Sequence, residues 1–230
     1  MSNKFADKQR CFSLTARLKP WFSGLLILFL TGCSLFQSKP EMIDQGPAEK
    51  PLPEPLVERY NEGLELLQQA AAEEDSGEQQ QQHQAAADFW QTLSQQYPQY
   101  PGVWSNLALS HYRLGNYDAS LESLVRAHDI DAEFCPAFKL KALVQRQLGK
   151  FSDAESSYLA AAECAPEDAD IPYNLGILYD LYLNDLGKAL VQYRKAQSLI
   201  SGEDAMLAIW IPDLERRSGV AADNQQVAGE

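Results

Sequence analysis

Apolar residues are distributed along this chain in three ways, and each predicts a different kind of segment. Near the N-terminus they are contiguous, in the run WFSGLLILFL from Trp21 to Leu30. Between Ser34 and Pro55 they thin out among polar residues and the prolines Pro40, Pro47, Pro51, Pro53 and Pro55. From Leu56 to Leu214 they recur at the spacing that puts them on one face of a 3.6-residue helix. Turn signals break this helical phase at Pro98, at Leu114-Gly115-Asn116 and at Leu148-Gly149-Lys150, so the third region predicts a series of short helices joined by tight turns.

Within that region one scheme is written three times. Trp104, Leu107, Ala108 and His111 share a helix face. Gly115 follows as a cap, then Tyr117 as a hydrophobic lead-in, and Leu121, Leu124 and Ala127 face inward on a second helix. About 34 residues on, Phe138, Ala142, Gly149, Phe151, Ala154, Tyr158 and Ala161 repeat it, and Leu175, Gly176, Tyr179, Ala189, Tyr193 and Ala196 form a third copy. A period of this length, with large residues early and small ones late, resembles the tetratricopeptide repeat.

The resemblance implies an all-α solenoid of helical hairpins. Its regular copies are 101–134, 135–168 and 169–203, with a degenerate hairpin before them at 56–100, a capping helix at 204–217 and a loose tail at 218–230. In the degenerate copy Gly63 takes the small position, and Ala86, Trp90 and Pro98 take the small, aromatic and terminal-proline positions of the second helix. Small residues at Ala108, Ala142 and Gly176 let the paired helix come close, while Leu124, Tyr158 and Tyr193 fill the space between hairpins. No hairpin can bury both of its faces alone, so neighbours must stack. The polar run Glu73–His83 reads as an exposed loop or frayed end, with the following helix at Gln84–Gln96. The third copy departs from the scheme: Pro172 replaces the early aromatic, Leu183 replaces the turn glycine, and one residue is inserted before Ala189. Pro212 is expected to kink or restart the last helix near Trp210.

The N-terminal region adds an address. Lys4, Lys8, Arg10, Arg17 and Lys19 precede an apolar run too short to span a bilayer comfortably, the layout of a bacterial secretory signal over residues 1–32. Leu30-Thr31-Gly32-Cys33 resembles a lipobox. That resemblance implies cleavage before Cys33 and acylation of Cys33 in a Gram-negative envelope, a lipoprotein carrying thioether-linked diacylglycerol and an amide-linked chain such as palmitate. With Ser34 rather than Asp next in line, it implies sorting to the outer membrane, facing the periplasm. Three chains at about 0.8 kcal/mol per buried methylene make the anchor essentially permanent. The proline-rich stretch 33–55 is then a tether reaching roughly 65–70 Å in polyproline form.

Charge and chemistry narrow the function. The chain has 19 basic against 32 acidic side chains, a formal net charge of −13. Five of the basic groups and one acid, Asp7, lie in 1–32, which leaves 14 against 31. So acidic a remainder argues against nucleic acid, whose phosphates need a basic surface. No nucleophile elbow or phosphate-cradling glycine loop is present. His83, His111 and His128 stand apart from one another and from cysteine, so no metal or other cofactor is expected. The reading is a protein without catalytic residues. Cys135 opens the first helix of the second copy and Cys164 lies near the end of its partner. Antiparallel helices bring those ends together, and an oxidising compartment permits a bridge if the α-carbons fall within about 7 Å. A disulfide and two free thiols both fit the sequence.

The family resemblance also implies that the first helices line a concave groove for peptides or extended protein segments. By register this groove takes Ser105, Leu109, Tyr112 and Arg113 from the first regular copy, Lys139, Leu143 and Arg146 from the second, and Tyr173, Ile177 and Asp180 from the third. Ser105 and Leu109 occupy places where the carboxylate-clamp subtype has lysine and asparagine, which disfavours that mode. Two readings follow. One is an adaptor that recruits or assembles an envelope machine (a pilus, secretion, export or TonB-type system). The other is a structural envelope component associated with peptidoglycan.

Overall fold

The structure, a computed structural model, describes residues 52–219. The expected signal segment 1–32, Cys33 with the lipobox expected before it, the expected tether up to residue 51 and the stretch from residue 220 lie outside the described residues. The described part is built from helices in antiparallel pairs: α1 (Glu54–Ala72) with α2 (Ser76–Gln96), α3 (Pro101–Arg113) with α4 (Tyr117–Ile130), and α5 (Pro136–Gln147) with α6 (Phe151–Cys164). Next come α7 (Asp170–Ile177), continued by a π-helical turn Leu178–Leu183, with α8 (Leu186–Leu199), and finally α9 (Ala205–Ser218). Each pair packs on the next, so the inner helices α1, α3, α5, α7 and α9 form one layer and α2, α4, α6 and α8 the other.

The small-against-large scheme sets the spacing within the pairs. Gly63 lies directly beneath the Trp90 indole, where a Cβ would come within 2.5 Å of the ring, and Gly176 lies beneath Tyr193, where a Cβ would come within 2.4 Å. Ala108, Ala142, Leu124 and Tyr158 take the same places in the middle pairs and are fully buried. Ser120 donates its hydroxyl proton to the Ala108 carbonyl at 2.7 Å, a bond that needs backbone and side chain this close.

The inner helices α3 and α5 end alike. Gly115, at φ 77°, and Gly149, at φ 73°, turn left-handed. Behind the first, Gly115 N–H bonds to the Tyr112 carbonyl and Asn116 N–H to that of His111. Behind the second, Gly149 N–H bonds to Arg146 and Lys150 N–H to Gln145. These paired bonds satisfy carbonyls that the helix end would orphan.

The third pair differs for a reason visible in its length. Ala127 to Ala161 is 34 residues, but Ala161 to Ala196 is 35. The widened π turn Leu178–Leu183 takes up the extra residue. Asn184, at φ 52°, supplies the left-handed step in place of glycine, and the closing bond runs from Asp185 N–H back six residues to the Tyr179 carbonyl rather than five. The insertion is absorbed inside the helix and leaves the pairing of α7 with α8 intact.

Two expectations are corrected. The run after Glu73 is not a loop, and the second helix does not wait until Gln84: α2 begins at Ser76. Glutamine is a good helix former, and Asp75 caps the start by accepting from the Gly77 and Glu78 amides at 2.8 and 3.0 Å. The extra residues between Gly63 and Trp90 therefore lengthen both helices, to 19 and 21 residues against 12 to 14 in the two pairs that follow. Pro212 does not restart the helix, since α9 runs through it. Both Pro212 and Ala208, whose carbonyl loses its amide partner, lie on the exposed side, open to solvent.

Buried apolar side chains fall into two clusters. One runs from Leu56 through Trp90 and Leu124 to Leu140 and Val144. The other runs from Ala142 and Tyr158 through Tyr193 to Leu214. Helix α5 contributes to both, giving Ala137, Leu140 and Val144 to the first and Ala142 to the second. It is the shared wall of the solenoid.

Candidate functional site: the face of the inner helices

The groove residues expected from the sequence all sit on inner helices or their continuation, but the structure uses several of them to hold those helices together. Ser105 is fully buried and Leu109 nearly so; neither presents a groove surface. Lys139 donates to Asp168 at 2.9 Å and lies 3.7 Å from Asp170, tying α5 to the start of α7. Arg146 reaches Asn174 Oδ1 at 3.3 Å, a second tie between the same helices. Asp180 is buried and takes a bond from Arg217 of α9 at 3.1 Å. Tyr173 is half-buried, with its ring centroid 5.7 Å from that of Trp210 and 6.2 Å from that of Tyr193. Burial, helped by Asp204 and Asp170, pushes its phenol up to about 12, so Tyr173 is a neutral hydrogen-bonding ring at any physiological pH.

What stays accessible is a shorter row. Arg113 is exposed, and Tyr112, Leu143, Arg146, Tyr173 and Ile177 are half-buried. The Tyr112 ring leans on Tyr117 at 5.8 Å, while Leu143 and Ile177 rest against the second core. The row is aromatic, aliphatic and basic, although the chain as a whole is acidic.

Several residues that build this face were not singled out in the sequence. Asn106 donates to the Tyr60 hydroxyl at 2.7 Å between α1 and α3, and Asn174, at the same register two copies later, receives Arg146. Two asparagines at one helical phase, 68 residues apart, are the signal that was there to read. Asp168, Trp210 and Arg217 carry no such signal, since only the stacking brings them to their partners.

His83 is a further buried group at the junction of the first two pairs. It lies on α2, and both its burial and the positive charge of Arg113 on α3 hold its imidazole below the ordinary 6.5. Burial lowers His111 in the same sense. The sign follows directly. The unfolded chain binds protons below about 6.5, whereas the folded chain resists until the lower folded value is reached. Stability is therefore complete above 6.5 and falls as pH drops from there through the folded pKa. The urea midpoint is expected to fall between about pH 7.5 and pH 5.5, and less steeply in His83→Gln. Equal slopes for the two proteins would remove His83 as a source.

Cys135, the residue before α5, and Cys164, the last of α6, are joined by a disulfide with their α-carbons 5.6 Å apart. The open ends of that hairpin are thus clamped at an exposed position. Among the described residues no helix is long and apolar enough to cross a membrane, and no three His, Cys, Asp or Glu side chains are grouped to share a metal ion.

Comparison with known proteins bears on the fold. Residues 101–134 match the family model of the tetratricopeptide repeat. Among solved structures, MamA from Desulfovibrio magneticus RS-1, residues 41 to the end, superposes with a TM-score of 0.60 at 17% identity, covering 76% of this chain and 94% of that one. A MamA RS-1 ArsTM double mutant gives 0.60 at 17%, over 74% and 88%. A further MamA crystal structure gives 0.55 at 19%, over 64% and 86%. No curated protein matches the chain. Likeness at these identities speaks to architecture alone. With the paired helices and their stacking, it makes the described chain a helical solenoid of tetratricopeptide-repeat type.

Proposed function

We propose that this protein is a non-catalytic adaptor, lipid-anchored through Cys33 at the periplasmic side of a Gram-negative outer membrane, which recruits protein clients of an envelope machine. The observation that carries the binding role is the accessible row Tyr112, Arg113, Leu143, Arg146, Tyr173 and Ile177 on a face stiffened by ties between successive inner helices. A rigid platform with aromatic and guanidinium groups binds protein segments without first paying to order itself. The anchor rests on the basic segment, the apolar run and Leu30-Thr31-Gly32-Cys33. The proline-rich stretch after it would give the platform its reach.

The test uses the full chain in cells. A photoreactive residue at Tyr112 is expected to capture one or a few discrete proteins, with capture lost in an added Arg146→Glu. Labelled palmitate is expected to enter the wild type and not Cys33→Ala. Uniform, substitution-insensitive crosslinking, or retention on purified sacculi unaffected by Arg146→Glu, would favour the structural-component reading instead.

A further inference from the structure

Helices α1, α3, α5 and α7 each have an outer partner in the next helix of the chain; among the described residues α9 has none. Its buried side, Leu207, Ile211 and Leu214, faces the stack. The opposite side turns Ala205, Ala208, Ile209 and Pro212 to solvent, at spacings of three, one and three residues that make one continuous stripe. Ile209 is 65% exposed, more than any other large apolar side chain described. The stripe is narrow and mostly small, a shape that lets a second helix approach closely.

Charge along α9 selects the occupant. The exposed Glu203, next to the capping Asp204, lies just before the helix, and Arg216, three-quarters exposed, lies near its end. Among the described residues Arg216 is held by Asp213 one turn back on its own helix, while the neighbouring Arg217 is engaged with Asp180. A helix with an acid at its start, a base at its end and an apolar stripe between complements itself when turned end for end. Two such helices also oppose their dipoles favourably. We propose that the solvent side of α9 is a self-association surface, on which the α9 of a second copy lies antiparallel across a two-fold axis near Ile209, with each Arg216 meeting the other copy's Glu203.

A two-fold contact of this kind closes on itself and yields dimers, not fibres. A 14-residue helix spans about 21 Å, so the contact is smaller than the roughly 800 Å² per partner of a stable complex, and association should be in the weak, micromolar range. The inference does not depend on the adaptor reading.

Sedimentation equilibrium of the full chain tests it. The wild type is expected to pass from monomer to dimer with rising concentration, and Ile209→Asp to weaken this at least tenfold. Glu203→Arg and Arg216→Glu should each weaken it as well, while the two together restore it. That restoration cannot come from a variant that has merely unfolded. Orientation is read separately: Glu203→Cys mixed with Arg216→Cys should crosslink across copies, and Arg216→Cys alone should not. A wild type that stays monomeric at about 1 mM, a dimer indifferent to Ile209→Asp, or preferential crosslinking of Arg216→Cys with itself would each overturn the proposal.

Discussion

Reducing the Cys135–Cys164 bridge is expected to lower the stability of the folded chain by about 3–4 kcal/mol, the loop-closure entropy of a loop this long. The two cysteines are 29 residues apart, and the bond removes from the unfolded chain every conformation in which they are distant. The clamped hairpin begins with α5, the wall shared by the two apolar clusters. Loosening it weakens the joint between them and not merely a surface loop. Both cysteines are exposed, so a reductant reaches the bond in the native protein. The check is urea unfolding with and without reductant, beside a Cys135→Ser/Cys164→Ser variant. The wild-type midpoint should fall on reduction to that of the variant, and the variant should not respond to reductant. Identical midpoints for oxidised and reduced wild type would show that the bridge constrains nothing.

Trp90→Ala is expected to cost about 3–5 kcal/mol, the range for emptying a large aromatic from a packed core. Trp90 is wholly buried, stands edge-on to Tyr60 at 5.1 Å and to Phe89 at 5.8 Å, and fills the hollow that Gly63 leaves open. Gly63 has no side chain to collapse into the cavity, which places the cost toward the upper end. A solenoid transmits such damage only to its neighbours. Hydrogen exchange should therefore show protection lost across α1, α2 and α3 and largely kept in α7, α8 and α9. Uniform loss across the chain would mean that the two clusters unfold as one unit. A change in the unfolding midpoint worth less than about 1 kcal/mol would mean that Trp90 is not a packing element.

Much of this architecture is legible in residue identities, because it depends on local rules. Leu114-Gly115 and Leu148-Gly149 announce helix ends, since a left-handed residue costs glycine little, and both glycines adopt it. The Gly63–Trp90 and Gly176–Tyr193 contacts are readable as small against large at matching phases. The long α2 was hidden by composition: the eight glutamine-rich residues from Ser76 to His83 look like a loop until Asp75 is recognised as their cap. The face of the inner helices was the least legible. Register placed Ser105 and Lys139 on inner helices and Asp180 on the continuation of one, but could not tell an accessible side chain from one buried or consumed by a neighbouring helix.

The sequence by itself determined that this chain folds as stacked helical hairpins, where α3 and α5 end, and which positions are small and which large. It also carries the run Leu30-Thr31-Gly32-Cys33 and the proline-rich stretch after it, on which the proposed address rests. Those features are set by period, conformational preference and volume, all properties of residues a few turns apart. Only the tertiary structure decided which polar groups of the inner helices remain available. Lys139 and Asp180 find Asp168 and Arg217 across 29 and 37 residues, and whether such groups meet depends on the angle at which one hairpin lies on the next. It also decided that the extra residue of the third pair widens a helix instead of lengthening a turn. Tyr193 closed over Gly176 keeps α7 and α8 aligned, so the π turn between them is where the chain has room for it.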